Sequence, residues 1–201
     1  MDVLSRSLAA WLVTAGGCAA LIASLRFFVR ARAVGETLSR KLLHTGCGLL
    51  YLLCWPLYDL RWPWSPVLCA SAPALATLHF LLVGLGLQSD PELVKSFTRR
   101  GERSELLLGP APYGCIHVAA TLAYWQGAPA GVLVIAVLCA GDGLADILGR
   151  RMGQSNKWAH NRDKSRAGTL AFFIGAALAA FAALEFAAAK GLVSHRLSRL
   201  T

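Results

Sequence analysis

Three observations predict an all-α, polytopic membrane bundle of about six transmembrane helices in a single domain over residues 1–201. Hydrophobic residues make up 56% of the chain and charged residues only 15%, which is more apolar than an ordinary soluble domain. The uncharged residues fall into runs at 7–25, 42–58, 62–89, 106–141 and 167–184, and a spanning helix needs roughly 20 apolar residues. The basic residues, finally, gather between these runs in alternate connections, as orientation in a bilayer requires.

The first span is expected near 7–25. It is long for the apolar part of a secretory signal and a basic connection follows it, so it is read as a membrane helix. No Ser/Arg-rich transit segment precedes Leu8, so an organellar address is expected to be missing or atypical. The second span, 42–58, is the shortest. The third is expected at 63–87. The 106–141 run is too long for one helix and is interrupted by Gln126-Gly127-Ala128-Pro129, so it divides into spans near 107–125 and 130–148. A sixth span is expected at 168–189. The 88–106 connection has mixed charge and Pro91 near a helix start, which predicts a short interfacial helix.

With six spans, the connections 26–41, 88–106 and 149–167 share one face, and that face carries 15 of the 20 lysines and arginines. Arg6, Arg61, Lys190, Arg196 and Arg199 are left for the other. The basic face is expected on the cytosol or its organellar equivalent. The net charge of +9 therefore follows from membrane orientation. Nucleic-acid binding is not supported, because the cations lie without interleaved aromatics or a reader module. The six cysteines sit inside apolar runs without Cys-x-x-Cys spacing and read as small buried hydrophobes, not as a zinc site or disulfide framework.

Chemistry is expected on the basic face. Asp142 and Asp146 lie four apart at the end of an apolar run, which stacks them on one helical face. Ionisable groups at membrane depth are costly and mark functional sites. Gly141 and Gly143 leave room for a ligand at the backbone, and Arg150 lies one turn after Asp146. A pair of carboxylates suits magnesium, which keeps substrate phosphates in its shell. Lys157, Lys164, Ser165, Gly168 and Thr169 come next. Lys164-Ser165 stands just before a helix whose free N–H groups and positive dipole end favour phosphate oxygens. The pattern is neither a P-loop, since Asp163 replaces the glycine before the lysine, nor a dinucleotide fingerprint, since the third glycine is missing. Lys41 and His44 are three apart and share a face at the entrance of the second span. His44 is either a helix-packing hydrogen-bonding residue or the group that orients or deprotonates an acceptor hydroxyl. His79 and His117 lie mid-span without charged companions and read as packing residues. Glu105, Gly109, Pro110 and Tyr113 mark a helix break at the membrane boundary.

Several segments resemble the CTP-dependent kinases of isoprenoid alcohols, the phytol and farnesol kinases, with dolichol kinase more distant. They are Arg40-Lys41-Leu42-Leu43-His44 with Trp55-Pro56-Leu57, Gly84-Leu85-Gly86-Leu87, Val94-Lys95-Ser96 through Gly101, and Glu105-Leu106-Leu107-Leu108-Gly109-Pro110. The most specific is Gly141-Asp142-Gly143-x-Ala145-Asp146-x-x-Gly149-Arg150 coupled to Lys164-Ser165-x-x-Gly168-Thr169. The similarity covers Arg40 to about Phe186. Where the family usually reads Lys-Leu-Pro-Tyr-Asn, this chain has Lys157-Trp158-Ala159-His160-Asn161, so closure over a nucleotide is expected to differ. Relatives often continue past the sixth span, leaving this chain either compact or shortened at its C-terminus.

The resemblance implies phosphoryl transfer from CTP to the hydroxyl of farnesol, phytol or a related prenol. It implies a multi-pass membrane location, in the chloroplast of a photosynthetic eukaryote, with the catalytic loops on the basic face. In that scheme Asp142 and Asp146 hold magnesium, Lys157 and Lys164 stabilise the migrating group, and Ser165, Gly168 and Thr169 cradle it. Lys41 contacts phosphate, and Gly141, Gly143 and Arg150 complete the nucleotide site. The implied partners are the lipid bilayer, the isoprenoid alcohol and a nucleoside triphosphate, with no nucleic acid and no obligatory protein partner. Two competitors stand beside this. A cytidylyl or CDP-alcohol transferase of phospholipid synthesis is disfavoured because Asp146 stands where the latter's arginine should be, and because the former's Gly-His-Gly-Gly element is missing. A small transporter would place acids on several spans, not on the fifth alone.

Overall fold

The computed structural model describes residues 2–59, 61–125 and 128–193. Its elements are helices α1 (Val3–Arg30), α2 (Glu36–Cys54), α3 (Ser65–Leu85), α4 (Pro91–Phe97), α5 (Glu105–Leu108), α6 (Pro110–Ala123), α7 (Ala130–Ala136), α8 (Asp142–Met152) and α9 (Arg166–Ala189). A 3₁₀ turn at Trp55–Leu57 follows α2, and a π turn at Val137–Gly141 joins α7 to α8. Among the described residues there is no strand, only an isolated bridge between Lys157 and Ser165.

Five helical stretches are long and apolar enough to cross a membrane: Val3–Arg30, Ser65–Leu85, Glu105–Ala123, Ala130–Met152 and Arg166–Ala189. Their outward faces carry large apolar side chains, among them Leu12, Phe27, Leu78, Phe173, Leu178 and Phe181, all more than a third exposed. Water would penalise such a surface, and a bilayer covers it.

The expected count of six is thus corrected to five, and the segment that drops out is 42–58. Its helix begins at Glu36, so the first turns carry Glu36, Arg40 and Lys41, and it stops at Cys54 where Trp55-Pro56-Leu57 tightens into the 3₁₀ turn. Pro56 has no N–H to continue an α-helical ladder. Helix α2 still passes through the interior, burying Leu43, Gly48, Tyr51, Leu52 and Cys54. It lies there as a polar-ended helix shielded by its neighbours. The divide expected at 126–129 falls partly on Gln126 and Gly127, which lie outside the described residues, as do Arg196 and Arg199.

The two ends of the bundle differ. At one, α1 reaches α4 through Arg26 Nε donating to Ser96 Oγ at 2.9 Å and an Arg30–Glu92 ion pair at 3.1 Å. Lys95 of α4 lies 3.6 Å from Glu36, and Arg40 donates to the Thr98 carbonyl at 2.9 Å. The connections 26–41 and 88–106 therefore meet, and α4 is the short helix expected there, with Pro91 at its start and the Asp90 carboxylate accepting from Leu93 N at 2.9 Å. At the other end lies the aromatic core: Tyr51, Trp55, Tyr58 and Trp125 packed with Cys69, Val132, Ile135, Ala187 and Leu192.

His79 departs from its expected packing role. Gly86, at φ +80°, lets the chain reverse after α3, which carries Asp90 back over the helix. His79 Nε2 then lies 3.0 Å from Asp90 Oδ2. His117 is buried as expected, its Nδ1 2.9 Å from the Tyr113 carbonyl oxygen.

Candidate functional site

The continuous helical stretch of α7, the π turn and α8 positions the two aspartates. A π turn adds a residue to the local helical turn and rotates the next segment about the axis, and such turns cluster at functional sites; here it ends on Gly141, immediately before Asp142. Along α8 the four-residue spacing then stacks Asp142, Asp146 and Arg150, with Arg150 Nε donating to Asp146 Oδ2 at 2.9 Å.

Helix α2 brings in the opposite charge. Lys41 Nζ lies 2.9 Å from Asp142 Oδ2 and 4.0 Å from Asp146 Oδ2, so one ammonium bridges both acids. Its side chain is only 10% exposed, and an ammonium at such depth persists because it is paired. Arg99, from the loop after α4, adds a third cation, its Nη2 3.8 Å from Asp146 Oδ1. The two acids differ in their freedom: the Asp146 side chain is 16% exposed and faces three cations, whereas Asp142 is 50% exposed. Asp146 anchors the cluster, and Asp142 is open to a ligand.

His44 completes this edge. Tyr113 Oη donates to the His44 carbonyl at 2.6 Å and its ring lies 3.9 Å, centroid to centroid, from the imidazole. Beside it on α2, Thr45 Oγ1 donates to the Cys139 carbonyl at 3.0 Å, tying that helix to the π turn. His44 Nε2 stands 3.4 Å from Asp142 Oδ2 without a hydrogen bond, and it is buried with no partner.

The His44 side chain lines a cavity of about 730 Å³ between α1, α2, α3 and α6. Its walls are apolar along most of their length, including Ala15, Cys18, Ile22, Cys47, Ala76 and Phe80, and its charged end consists of Arg40, Lys41, His44, Arg99 and Asp142. A second cavity of about 920 Å³ on the same end is lined by Lys95, Arg99, Arg100 and Arg103, so Arg99 borders both. Glu105 holds this basic loop in place by accepting from the N–H groups of Arg99 and Arg100 at 2.9 and 2.8 Å.

The 157–169 segment meets α8 further along, Ser165 lying beside Gly149 and Gly153, each seven residues and so two turns past an aspartate. A Cβ on Gly168 would meet Ala145 O at 3.0 Å and Gly149 Cα at 3.2 Å, so the two glycines let α8 and α9 cross closely. Ser165 caps α9 by accepting from Gly168 N at 3.0 Å, Asn156 accepts from Arg166 N and Ala167 N, and Thr169 N donates to the Ser165 carbonyl. The N–H groups expected to be free are thus engaged within the chain. Thr169 Oγ1 accepts from Trp158 Nε1 at 3.0 Å, and Arg166 stacks over the Trp158 ring at 5.4 Å. Lys164 is exposed and Lys157 half-buried, and among the described residues neither pairs with Asp142 or Asp146. Gly141 and Gly143 also serve packing: Phe172 of α9 fills the space beside the first and Thr45 of α2 the space beside the second.

Among the described residues, no group of three or more His, Cys, Asp or Glu side chains is placed to hold a metal ion by itself. Two hard carboxylates, one of them half open, do suit magnesium, which binds through one or two acids and completes its shell with phosphate and water. Arg99 and Tyr113 are members that the sequence did not single out for these contacts. Arg99 was one cation among many in its loop, and Tyr113 was only part of a helix break.

The bundle and its charged boundary site define an all-α membrane protein that presents an apolar cavity to a cluster of acids and cations. The chain is a relative of the plant phytol and farnesol kinases. It is 37% identical over 198 residues to a protein of Oryza sativa subsp. japonica named probable phytol kinase 2, chloroplastic, covering 97% of this chain and 64% of the relative. It is 39% identical over 158 residues to farnesol kinase, chloroplastic, of Arabidopsis thaliana, covering 79% and 51%. With phytol kinase 1, chloroplastic, of Arabidopsis thaliana it shares 36% identity over 159 residues, covering 79% and 52%. The chain spans about half to two thirds of the length of these relatives. No family model and no solved structure matches it.

Proposed function

We propose that this protein is an isoprenoid-alcohol kinase that transfers the terminal phosphoryl group of CTP to the hydroxyl of a prenol such as farnesol or phytol, in a chloroplast membrane. The observation that carries this reading is the long apolar cavity that ends on Lys41, His44, Arg99 and Asp142. A prenol has the matching form, a long hydrocarbon with one hydroxyl, and its tail gains from burial among apolar walls.

In this scheme the cavity aligns the alcohol so that its oxygen reaches the mouth at His44 and Asp142. Lys41 and Arg99 draw phosphate oxygens to the same place, and the basic cavity that shares Arg99 gives the rest of the triphosphate room. Lys157, Lys164, Ser165 and Thr169 flank the site from further along α8. Bound magnesium, held by Asp142 and Asp146, would neutralise phosphate charge. The alcohol oxygen bonds to the terminal phosphorus as the bond to the bridging oxygen breaks, releasing CDP and leaving the prenyl monophosphate. The hydroxyl proton passes to His44 Nε2 or to Asp142. Such catalysis rests on positioning and charge more than on covalent chemistry.

Product analysis with the purified protein tests it. CTP or ATP labelled at the γ-phosphate, and in parallel CTP labelled at the α-phosphate, is offered with farnesol, phytol and phosphatidate, and the reading expects a prenyl monophosphate labelled from γ-labelled CTP only. Label transfer into a CDP-lipid, or no labelled lipid with any acceptor, contradicts it.

A further inference from the structure

The cavity has a built floor. At the end away from Lys41 and His44 it is lined by Trp11 and Thr14 of α1 and Tyr51 of α2. Each has its polar tip tied to another segment. Trp11 Nε1 donates to Ser71 Oγ at 2.9 Å, Thr14 Oγ1 lies 3.2 Å from Tyr58 Oη, and Tyr51 Oη lies 2.6 Å from Thr121 Oγ1. A side chain pinned by a cross-helix hydrogen bond cannot swing aside without leaving a polar group unsatisfied in an apolar setting. The floor is therefore fixed, unlike one made of free leucines or methionines.

Its distance from the mouth has chemical meaning. From Lys41 to Tyr51 along α2, at 1.5 Å per residue, the cavity is about 15 Å deep. The lining of α1 from Ile22 down to Trp11 gives roughly 16 Å by the same rise. With carbon–carbon bonds of about 1.5 Å, an extended chain advances roughly 1.25 Å per bond, so a prenol of about three isoprene units spans the same depth and a fourth unit overshoots it. The lining just above the floor is small: Ala15 lies one helical turn, about 6 Å, nearer the mouth on the same face as Trp11.

We infer that the Trp11–Ser71 pair is a chain-length gauge: it limits the acceptor to prenols of about three isoprene units, so that of the two alcohols named above farnesol fits and the four-unit phytol does not, with Trp11 as the specificity-determining residue. This rests on the kinase reading of the same site. Removing the indole opens the floor toward the next turn of α1 and admits a fourth unit. Filling the space at Ala15 raises the floor by about one unit.

The test compares kcat/KM with CTP for geraniol, farnesol and geranylgeraniol in the natural protein and in Trp11→Ala, Trp11→Phe and Ala15→Phe. The natural protein is expected to favour farnesol over geranylgeraniol by roughly tenfold or more, since a pocket discriminates by about that factor for each hydrocarbon group it cannot accommodate. Trp11→Ala should narrow that ratio to about threefold or less, Trp11→Phe, which fills part of the space but loses the bond to Ser71, should give an intermediate ratio, and Ala15→Phe should shift the optimum to geraniol. The same order of acceptors in all variants overturns the gauge while leaving the kinase reading intact. If the natural protein phosphorylates no prenol, the kinase reading fails separately, and competition among the three prenols for binding still decides the gauge. Should Trp11→Ala not fold, Ala15→Phe alone settles the outcome, because a structural defect gives no shift toward shorter chains.

Discussion

Asp142 and Asp146 share a helical face and differ in role because their surroundings differ. Asp146 is mostly enclosed and faces Lys41, Arg99 and Arg150, while Asp142 is half exposed and lies beside the unpartnered His44 Nε2. Replacing Asp142 by Asn is expected to lower kcat by about 100-fold or more, the order seen when a single group that stabilises transition-state charge is removed, with a smaller loss of thermal stability than at Asp146, because Asp142 is half exposed and Asn keeps an oxygen that accepts from Lys41. Asp146→Asn is expected to cost both, because the mostly enclosed Asp146 is the shared counter-charge of Arg150, Arg99 and Lys41. Steady-state kinetics beside thermal unfolding in detergent separates the two; equal loss of stability in both variants contradicts the division of roles. Residue spacing alone made the acid pair and the Lys41–His44 pair legible, since each lies within one turn of one helix. The ion pair between them was not, because it joins positions 101 residues apart and exists only through the packing of α2 on α8.

At the scale of elements, apolar runs located most helices, and the errors fall where local polarity and tertiary cover disagree. Helix α2 starts within a charged segment that loop logic assigned to solvent, yet its Lys41 is buried by pairing. The third span was expected to run to 87, past Gly86, whereas α3 ends at Leu85 and Gly86 turns the chain back, so neither that turn nor the His79–Asp90 contact it brings was legible. Asp90 gives this region a pH dependence. The Leu93 N–H, and then His79, hold its carboxyl below the ordinary value of 3.8. A folded-state pKa lowered in this way stabilises α4 above the unfolded value, and the stabilisation is lost as pH falls through the folded value. Amide exchange across Pro91–Phe97 should therefore keep its protection from neutral pH to about pH 4 and lose it below. In Asp90→Asn, which retains a capping side chain, that acid-dependent loss should disappear. An unchanged acid profile in the variant contradicts the assignment to Asp90.

Across the whole molecule, the bundle separates an aromatic core at one end from a charged boundary at the other, and the cavity joins the two. Composition made the membrane class legible, but a cavity is the space left between helices and has no sequence period. For the same reason the glycines at 141 and 143 read as room for a ligand although Phe172 and Thr45 fill that room. Whether the alcohol's tail occupies that cavity is decided by photo-crosslinking of the intact protein in lipid vesicles with a prenol analogue carrying its reactive group midway along the tail, mapped by mass spectrometry. Adducts are expected on the cavity faces of α1, α2 and α3, at Cys18, Cys47 and Ala76 and their neighbours, and farnesol should displace them. Adducts confined to outward residues such as Leu12, Phe173 and Phe181, undiminished by farnesol, would contradict a substrate site inside the bundle.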